Sequence, residues 1–485
     1  MPATARDELL GQQSQLFGQP KGLWVLAGTE LWDRISFHGM TAMLVLYMTG
    51  DLLIAPTRVA TIWGFAPYRH AVEGVFGHLS DQALATQTFG VYFAGITAMP
   101  LVGGWIADRI TGRRIAVSLG ALLMTLGHFS FAFDRSFLLG LLLLVLGAGL
   151  LRGNLPAQVK SLYADGDRRE TTAFQYYYLA INTGAFIAPI VSGAIAAVWG
   201  WHAGFAVAGF GMLIGLLVYT FGQRWLPKAE PVRSGGATKV KRPPLTPEER
   251  RAVLGLAIVW PIAVTFWIAQ AQIWNVYNIW LRDHVQMRVG SFQVPVPWMQ
   301  SLDGLAPALF IPLVVWIWAQ QAKRGREPDV FGKMSIGALI FAAGVLILSA
   351  GPLVAGASGN SGGRAPLMLP ILFHVVSNFG AMYFTPTALS LYATRAPAQW
   401  RGSLVGTYQL SVSAASLITG RMGQMYETMT PSSFWAINAA ICAGGTVALI
   451  VLTPTLRRLL GVRRGEDEGR WCLWWVRSRC WVRFF

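Results

Sequence analysis

Charged residues are scarce in this chain. Only 13% of its 485 residues are Asp, Glu, Lys or Arg, against roughly 25% in soluble proteins. Hydrophobic residues make up 54%, and the mean hydropathy is +0.45. This composition excludes an ordinary soluble globular protein. Apolar runs of about 20 residues recur along the sequence, each long enough to cross a ~30 Å hydrocarbon layer. The sequence therefore predicts a protein that crosses a membrane many times.

Cysteine and catalytic motifs are equally sparse. Cys442, Cys472 and Cys480 form neither a metal-ligand spacing nor an even-numbered disulfide framework. The chain has no H-E-x-x-H metal motif and no paired intramembrane aspartates in a hydrolase motif. No serine lies on the strand-to-helix turn that a nucleophile elbow requires, because all the predicted elements are helices. We therefore expect no metal site and no enzyme activity. The first twenty residues have no basic region or small-residue cleavage site, so no cleaved signal peptide is predicted.

The hydrophobic pattern predicts an all-α membrane protein with twelve spans. They lie near residues 23–48, 86–107, 115–133, 136–159, 173–196, 200–222, 253–281, 297–319, 332–353, 366–393, 402–426 and 433–456. A stretch rich in Pro, Gly and basic residues separates the first six from the last six. This predicts an N-terminal segment, a six-helix bundle, a basic linker, a second six-helix bundle and a tail, at residues 1–22, 23–222, 223–252, 253–456 and 457–485.

The formal net charge of +16 is explained by where the basic residues fall. If residue 1 is cytoplasmic, roughly 30 Lys and Arg residues lie on the cytoplasmic side against about 7 on the other side, which is a strong positive-inside bias. The sequence therefore predicts that both termini are cytoplasmic. Because topology accounts for the basic charge, we expect a lipid bilayer around the protein and no nucleic-acid partner.

The loop "GGWIADRITGRR" (103–114) joins the second and third spans. An ordinary positive-inside loop is one interpretation. Its G-x-x-x-D-R-x-x-G-R-R order also resembles the cytoplasmic loop of the major facilitator superfamily. That resemblance implies two six-helix halves that rock around a midplane site, and it makes Asp108, Arg109 and Arg113 candidates for a gating loop.

Longer stretches resemble the proton-dependent oligopeptide transporter (POT/PTR) family of that superfamily. "ELWDRISFHGMTAMLVLYM" (30–48) is similar to its first-helix E-x-x-E-R-F-x-Y-Y-G-M motif, and residues 150–193 are similar to its fourth and fifth helices. Residues 266–280, 299–307 and 373–392 extend the resemblance, which covers about residues 22 to 456. It implies the major facilitator fold and proton-coupled uptake of di- and tripeptides, with the proton as coupling ion and no cofactor. We expect a monomer in the inner membrane.

The chain departs from the family pattern in its first and fourth helices. Asp33 stands where the family has its second glutamate, and Phe37 and His38 stand where it has two tyrosines. The fourth-helix lysine becomes Arg152, which stays cationic at physiological pH and presents a rigid fork to a carboxylate. We therefore do not expect the group at position 152 to release a proton.

Two family glutamates are absent from the second half. Ala271 and Ala381 align with the glutamates of helices seven and ten, which makes the chain an atypical member of the family. In helix eight, Asp303 aligns with the usual asparagine. The resemblance thus makes Asp303 the natural substitute acid, and an oriented dipeptide would place its amine there and its carboxylate at Arg34 and Arg152.

The first-helix charges can also be interpreted without the family. Glu30, Asp33, Arg34, Phe37 and His38 share one face of a helix at i, i+3, i+4, i+7 and i+8. A charge at bilayer depth costs about 2.5–3.5 kcal/mol on insertion scales, so such groups pair or face an aqueous cavity. Glu30 and Arg34 form an i,i+4 pair, and Arg152 is a second cation that would complete a network between helices one and four. A helix-locking salt bridge and a proton-linked or substrate-linked network both fit this pattern.

Further polar residues in the spans are candidates for lining a substrate cavity. They are Asn154 in the fourth helix, Tyr178 and Asn182 in the fifth, Trp274, Asn275 and Asn278 in the seventh, and His374 and Asn378 in the tenth. Any one of them also fits a role in holding neighbouring helices together. An intramembrane histidine fits either packing or proton transfer.

Other functions stay open on the sequence. The missing acids fit a facilitator-type transporter of another small solute, such as an amino acid derivative or a drug. They also fit a transport-deficient receptor with the same fold. The last sixteen residues, "RWCLWWVRSRCWVRFF", match nothing in the family. They are either an interfacial aromatic and basic anchor or a frame-shifted segment.

Overall fold

The computed structural model describes residues 14–164, 166–227, 244–357 and 363–462. Within these ranges the chain forms twelve helices of 16 to 31 residues. We number them α1 Lys21–Tyr47, α2 Asp81–Ile106, α3 Arg113–Ser130, α4 Phe137–Arg152, α5 Arg169–Trp199, α6 Trp201–Gly222, α7 Pro247–Ala271, α8 Ser301–Lys323, α9 Val330–Ser349, α10 Met368–Arg395, α11 Arg401–Thr428 and α12 Pro431–Leu460.

Nine of the twelve helices in the described ranges are long and apolar enough to cross a membrane. The other three are α1, α3 and α11. Helix α1 carries charges at its centre, α3 begins with two arginines, and α11 contains many Ser, Thr and Gly residues. These three helices are identified as members of the bundle by their packing against neighbouring helices and not by their hydropathy.

The twelve helices form two groups of six. In the first group α1 packs against α5 and α6, α3 against α4 and α6, and α2 against α4. In the second, α9 packs against α10 and α12, and α7 against α11 and α12. The two groups, here called the N bundle (α1–α6) and the C bundle (α7–α12), meet chiefly through α2 on α11 and α5 on α8.

Helix α7 is interrupted where the sequence predicts a continuous span. A 3₁₀ turn, Gln272–Trp274, and a non-helical Asn275 (φ −117°, ψ −107°) separate it from a second helical segment, Val276–His284. The break frees the carbonyl of Ile273, which accepts a hydrogen bond from Gln300 Nε2 at 2.5 Å. A buried side chain thus replaces the missing helical bond, as backbone at membrane depth requires.

The predicted fourth span is also divided. Helix α4 ends at Arg152, and a shorter helix, Leu155–Ser161, continues the path. Pro156 explains the break, because a proline inside a helix has no N–H and clashes with the carbonyl four residues earlier. Arg152 therefore lies at a helix end, where its side chain can turn towards α1.

The bundles have two faces. The terminal face is the one where α1 begins and α12 ends; the far face lies at the opposite ends of these helices. The far face carries two short helices between α1 and α2, Pro56–Val59 and Phe65–Phe76, and a short helix, Gly351–Ala357, after α9. Two-residue strand pairs, Val285–Gln286 with Ala365–Pro366 and Arg288–Val289 with Phe292–Gln293, also lie there. A third, Gln15–Leu16 with Gln19–Pro20, precedes α1.

Three predictions extend beyond the described ranges. Most of the basic linker (228–243), the first thirteen residues and the aromatic tail (463–485) lie outside the described residues.

Candidate functional site

Asp33 and Arg152 join α1 to α4 inside the N bundle. Arg152 donates from Nε to Asp33 Oδ2 at 3.1 Å and from Nη2 to Oδ1 at 3.2 Å. The guanidinium also lies over the ring of Phe37, 4.1 Å from its centroid. Asp33 is fully buried and the Arg152 side chain is 10% exposed. The fork geometry of arginine allows this two-bond contact.

Arg34 extends this contact into a network. Its Nε donates to Glu30 Oε1 at 2.7 Å, and its Nη2 lies 3.3 Å from Asp33 Oδ2. The second oxygen of Glu30 accepts from the hydroxyl of Tyr177 on α5 at 2.5 Å. We call Glu30, Asp33, Arg34, Arg152 and Tyr177 the N-bundle charge network. It contains two acids and two cations, and it links α1, α4 and α5.

The balance of charge makes the network tolerable at membrane depth. A buried ion pair is expensive to desolvate, and removing one partner costs about 3–5 kcal/mol because the other charge is left alone. In this network both carboxylates are satisfied by more than one donor. Both predictions for the first helix, the i,i+4 pair and its completion by Arg152, agree with this geometry.

Gly184 brings α5 close enough to α1 for Tyr177 to reach Glu30. A methyl group at position 184 would lie 2.6 Å from Arg34 Cβ and 2.8 Å from the carbonyl oxygen of Leu31. Tyr177 and Gly184 are seven residues apart and therefore lie on the same face of α5. The close approach at Gly184 thus positions the hydroxyl that completes the network.

His38 lies one turn beyond Arg34 but outside the hydrogen-bonded network. Its ring packs on Phe37 and on Trp274 of the C bundle, with centroids 5.0 and 5.2 Å away. Its Nδ1 is buried without a hydrogen-bond partner among the described residues. His38 therefore connects the network side of α1 to the break in α7.

A second polar cluster lies in the C bundle. Asp303, in the first turn of α8, accepts at Oδ1 from Asn378 Nδ2 at 2.8 Å and is 2.9 Å from His374 Nδ1. The ring of Tyr277 packs edge-on against His374, with centroids 5.4 Å apart. Asp303 Oδ2, His374 Nε2 and the Tyr277 hydroxyl are buried without partners among the described residues. We call these four residues the C-bundle acid cluster.

Helix α5 holds the two clusters at a common depth. Gly304, next to Asp303, lies so close to α5 that a methyl group there would overlap the backbone of Ala185 and Phe186. The preceding residue on α5 is Gly184, which contacts Arg34. The same turn of α5 is therefore in contact with Arg34 of the N bundle and with the residue next to Asp303 of the C bundle.

The amide side chains of helix seven hold helices together. Asn275 Nδ2 donates to the carbonyl of Thr86 on α2 at 3.2 Å, and Asn278 Oδ1 accepts from Gln300 Nε2 at 2.8 Å. Both asparagines are fully buried. These contacts show a packing role, and their role as substrate ligands stays a prediction.

The remaining cavity candidates lie apart from both clusters. Asn154 is buried and donates to the carbonyl of Leu150 at 2.8 Å, which supports the end of α4. Tyr178 is 46% exposed, and Asn182 donates to its carbonyl at 2.8 Å within α5. The structure thus brings neither Tyr178 nor Asn182 to the charge network; its partner on α5 is Tyr177.

The predicted gating loop lies on the terminal face. Arg113 Nη2 is 3.3 Å from Asp108 Oδ1, and the two side chains are 45% and 59% exposed. Arg109 lies over the ring of Trp105 at 5.5 Å. The contact between Asp108 and Arg113 joins the end of α2 to the start of α3, within the N bundle.

Hydrogen bonds between the bundles cluster near the far face. Arg282 Nη1 donates to Thr49 Oγ1 at 3.0 Å, Ser80 Oγ donates to Glu427 at 2.5 Å, and Trp298 Nε1 donates to the carbonyl of Ile190 at 2.9 Å. Arg282 lies near the end of the segment Val276–His284, and Trp298 lies just before α8. The far face is therefore closed by contacts between the bundles.

A partly buried ion-pair cluster stabilises the loop before α2. Arg69 Nε donates to Glu73 Oε1 at 3.1 Å, and the same oxygen accepts from the backbone of Leu79 at 3.3 Å. The hydrogen bond from Arg69 holds the pKa of Glu73 below its ordinary value. Arg69 also reaches Asp81 at the start of α2, at 3.1 Å.

Sequence reasoning missed three site residues. Tyr177, Tyr277 and Gln300 all contribute hydroxyl or amide groups to the contacts above. Helical periodicity places Tyr177 on the face of α5 that carries Gly184, and this signal was available in the run "QYYYLAINTG". No comparable signal marks Tyr277, because its contact with His374 depends on how the segment Val276–His284 packs against α10.

The sequence pattern of the POT family matches residues 114–246 and 244–439, well over half of the chain. The chain belongs to the POT family. Its members are transporters, so an enzymatic role is excluded, and the protein is a multi-span membrane transporter.

Relatives of known name cover almost the full length. The chain is 26% identical to the peptide transporter YePEPT of Yersinia enterocolitica, over 93% of this chain and 98% of that protein. It is 26% identical to a di-/tripeptide transporter of Lactococcus lactis, over 93% and 99% of the two chains. An uncharacterized transporter of Bacillus subtilis, YclF, is 25% identical over 92% and 96%.

Solved POT structures share the fold. A crystal structure of a variant of a peptide transporter POT in complex with sulfate superimposes with a TM-score of 0.79 at 25% identity, covering 94% of this chain and 99% of that one. A complex of such a variant with alafosfalin gives the same values. The architecture is thus the major facilitator fold predicted from the sequence.

Within the POT family, two predicted departures concern buried positions. Ala271 and Ala381 are 6% and 5% exposed. Neither side chain can titrate or form an ion pair. That the chain is an atypical family member at these two positions stays a prediction.

Proposed function

We propose that the protein is a proton-coupled transporter of di- and tripeptides that works by alternating access. The observation that carries this proposal is the neutrality of the N-bundle charge network. Arg34 and Arg152 already have carboxylate partners in Glu30 and Asp33. A peptide carboxylate that reaches Arg34 therefore adds a third negative charge to two positive ones.

One proton restores the balance. If Glu30 or Asp33 takes up a proton, one acid is neutralised and Arg34 becomes available to the peptide carboxylate. Protonation then strengthens carboxylate binding, and carboxylate binding strengthens protonation by the same factor, because linkage is reciprocal. Arg34, 18% exposed, is the more accessible of the two arginines. The geometry thus supports coupling between proton and peptide through the paired acids of α1.

The C-bundle acid cluster supplies the opposite charge for the peptide ammonium. Asp303 Oδ2 has no hydrogen-bond donor among the described residues and is free to accept one. Arg34 and Gly304, the residue after Asp303, both lie against the same turn of α5. An extended dipeptide spans about 7 Å and a tripeptide about 10 Å at roughly 3.5 Å per residue. His38, Trp274, Asn378 and the candidates on α5 are proposed to line the space between the charges.

The relatives support peptides as substrates, since two of those named above are peptide or di-/tripeptide transporters. We propose that both termini are cytoplasmic, following the positive-inside bias, that the membrane is the inner membrane, and that the protein acts as a monomer. The far face is then external, and the contacts of Arg282, Ser80 and Trp298 would keep the carrier closed to the outside. Asp108, Arg109 and Arg113 would then stabilise the cytoplasmic side.

Uptake into proteoliposomes tests the proposal. The purified full chain is reconstituted, and labelled di-alanine is added with and without an inward proton gradient. We expect accumulation above equilibrium that a protonophore abolishes. Glu30→Gln removes a titrating acid, so it should lose accumulation. Asp51→Asn, at an exposed far-face pair with Arg58, is the matched control and should accumulate like the parent protein.

The proposal is wrong if uptake ignores the gradient and also survives Asp303→Ala. A thermal-shift screen across amino acids, dipeptides and tripeptides separates the remaining functions. Stabilisation by dipeptides supports the proposal. Stabilisation by non-peptide solutes alone would indicate another small-solute transporter, which the alanines at 271 and 381 favour.

A further inference from the structure

The C-bundle acid cluster contains more polar groups than an ammonium site needs. Asp303 Oδ1 already accepts a hydrogen bond from Asn378 Nδ2 at 2.8 Å and lies 2.9 Å from His374 Nδ1. His374 is 1% exposed, and its Nε2 has no partner among the described residues. A buried polar atom without a partner costs free energy. An unpartnered His374 Nε2 beside an acid therefore points to a ligand or a proton that binds this nitrogen part of the time.

The charge on the cluster is confined to a few groups. Helix α8 supplies Asp303, and the segment Val276–His284 supplies the Tyr277 hydroxyl. In the described ranges no Lys or Arg side chain lies within 4 Å of Asp303, and its sole ionic partner is His374. Helices α9, α11 and α12 bring no charged group into ionic contact with either residue, over the same ranges. One carboxylate and one imidazole thus set the charge of the cluster.

We infer that a proton on His374 and the ammonium of a bound peptide compete for Asp303. This inference rests on the proposed peptide transport and specifies how the C-bundle acid cluster responds to pH. When His374 is neutral, Nδ1–H donates to Oδ1 and the carboxylate is free to bind an ammonium at Oδ2. When His374 is protonated, the pair is neutral, and an arriving ammonium brings the cluster to two positive charges against one negative charge.

As a consequence, lowering the pH should affect the peptide affinity in two opposing ways. Protonation of the N-bundle charge network favours peptide binding, whereas protonation of His374 opposes it. Imidazole is the side chain whose charge ordinarily changes between pH 5 and 8. For one competing proton, the peptide affinity therefore falls by at most tenfold for each unit by which the pH is lowered. We call this fall in affinity at acid pH the acid limb. Substrates without an ammonium group escape this loss.

Binding of di-alanine to the purified full chain, measured by calorimetry from pH 5 to pH 8, tests the inference. The parent protein should show weaker binding at the acid end. His374→Gln keeps an N–H donor for Asp303 and cannot take a proton, so the acid limb should disappear. His128→Gln is the matched control, because His128 is also buried without partners but lies on α3 in the N bundle. That variant should keep the acid limb.

Two further measurements protect the test against a misfolded variant. N-acetyl-di-alanine lacks the ammonium, so its binding to the parent protein should show no acid limb. Asp303→Asn should bind di-alanine more weakly, without the acid limb, while it still binds N-acetyl-di-alanine. An acid limb that persists in His374→Gln or Asp303→Asn, or one that His128→Gln also removes, overturns the inference.

The failures are distinguishable. If the parent protein binds di-alanine with no acid limb, the competition is absent and peptide transport still stands. If it binds no peptide at any pH, the proposed function fails, and this inference fails with it.

Discussion

Asp33→Asn is the sharpest perturbation of the N-bundle charge network. Asparagine keeps the shape and one acceptor oxygen, so the change isolates the charge. Asp33 is fully buried, and its partner Arg152 is 10% exposed. Removing one member of a buried pair costs about 3–5 kcal/mol because the other is left uncompensated. We therefore expect Asp33→Asn to lower the free energy of unfolding by about 3–5 kcal/mol.

Removing both charges should cost less than the two single changes together. Arg152→Gln leaves Asp33 with Arg34 as its remaining cation, at 3.3 Å. In the double variant neither charge of the Asp33–Arg152 pair is present. Double-mutant cycles give interaction energies of about 0.5–3 kcal/mol for residues in contact. Because one guanidinium donates two bonds to Asp33, we expect an interaction energy of about 3 kcal/mol for this pair. The coupling energy is measured by unfolding all four proteins in mixed detergent micelles.

Asp51→Asn is the control for detergent effects, because Asp51 and Arg58 are 33% and 38% exposed. It should leave unfolding unchanged. The reasoning is refuted if Asp33→Asn behaves like the control, or if the effects of Asp33→Asn and Arg152→Gln simply add. Either result would mean that water reaches Arg152 and that the pair does not hold α1 to α4.

Three further perturbations follow from particular contacts. Tyr177→Phe removes the hydroxyl that donates to Glu30 and should lower the free energy of unfolding by about 1.5–3 kcal/mol; unchanged unfolding would contradict the contact. Gly184→Ala should cost about 1–3 kcal/mol by overpacking α5 on α1, whereas Gly74→Ala, with no atom within 4 Å of the added methyl, should not destabilise. The pKa of Glu73 is lower in the folded loop than in the unfolded chain because Arg69 donates to its carboxylate. That stabilisation is present above the ordinary pKa and lost as pH falls through the lowered one. The protection of the Leu79 amide, measured as its exchange rate relative to that of an unstructured peptide at the same pH, should therefore fall at acid pH, and Glu73→Gln should abolish this dependence.

The helical architecture was predictable because apolar runs of membrane-spanning length are a strong signal. Two interruptions were not foreseen. Pro156 marks the break after Arg152 in the sequence, although its effect on the direction of the Arg152 side chain depends on α1. The break at Asn275 has no local signal, because its freed carbonyl at Ile273 is satisfied by Gln300, 27 positions along the chain.

The sequence predicts most individual residues of the candidate site but few of the contacts between them. The pair of Glu30 and Arg34 follows from helical spacing. Asp33 and Arg152 lie 119 positions apart, and the resemblance to a known family brought them together. Asp303 and His374 were each identified singly, but their contact depends on how α8 packs against α10. The sequence predicts Tyr178 as the site tyrosine, whereas Tyr177 makes the contact with Glu30. Adjacent residues of a helix point about 100° apart, so only one of the two can face α1.

The cation over an aromatic ring in the N bundle has an evolutionary consequence. Phe37 and Arg152 both depart from the predicted family pattern of tyrosine and lysine, and they touch each other at 4.1 Å. A planar guanidinium can lie flat on a ring while it forms two parallel bonds to a carboxylate, and an ammonium cannot form that pair of bonds. The two substitutions therefore form one physical unit. In related sequences, arginine at the end of the fourth helix should appear together with a ring that lacks a hydroxyl at position 37.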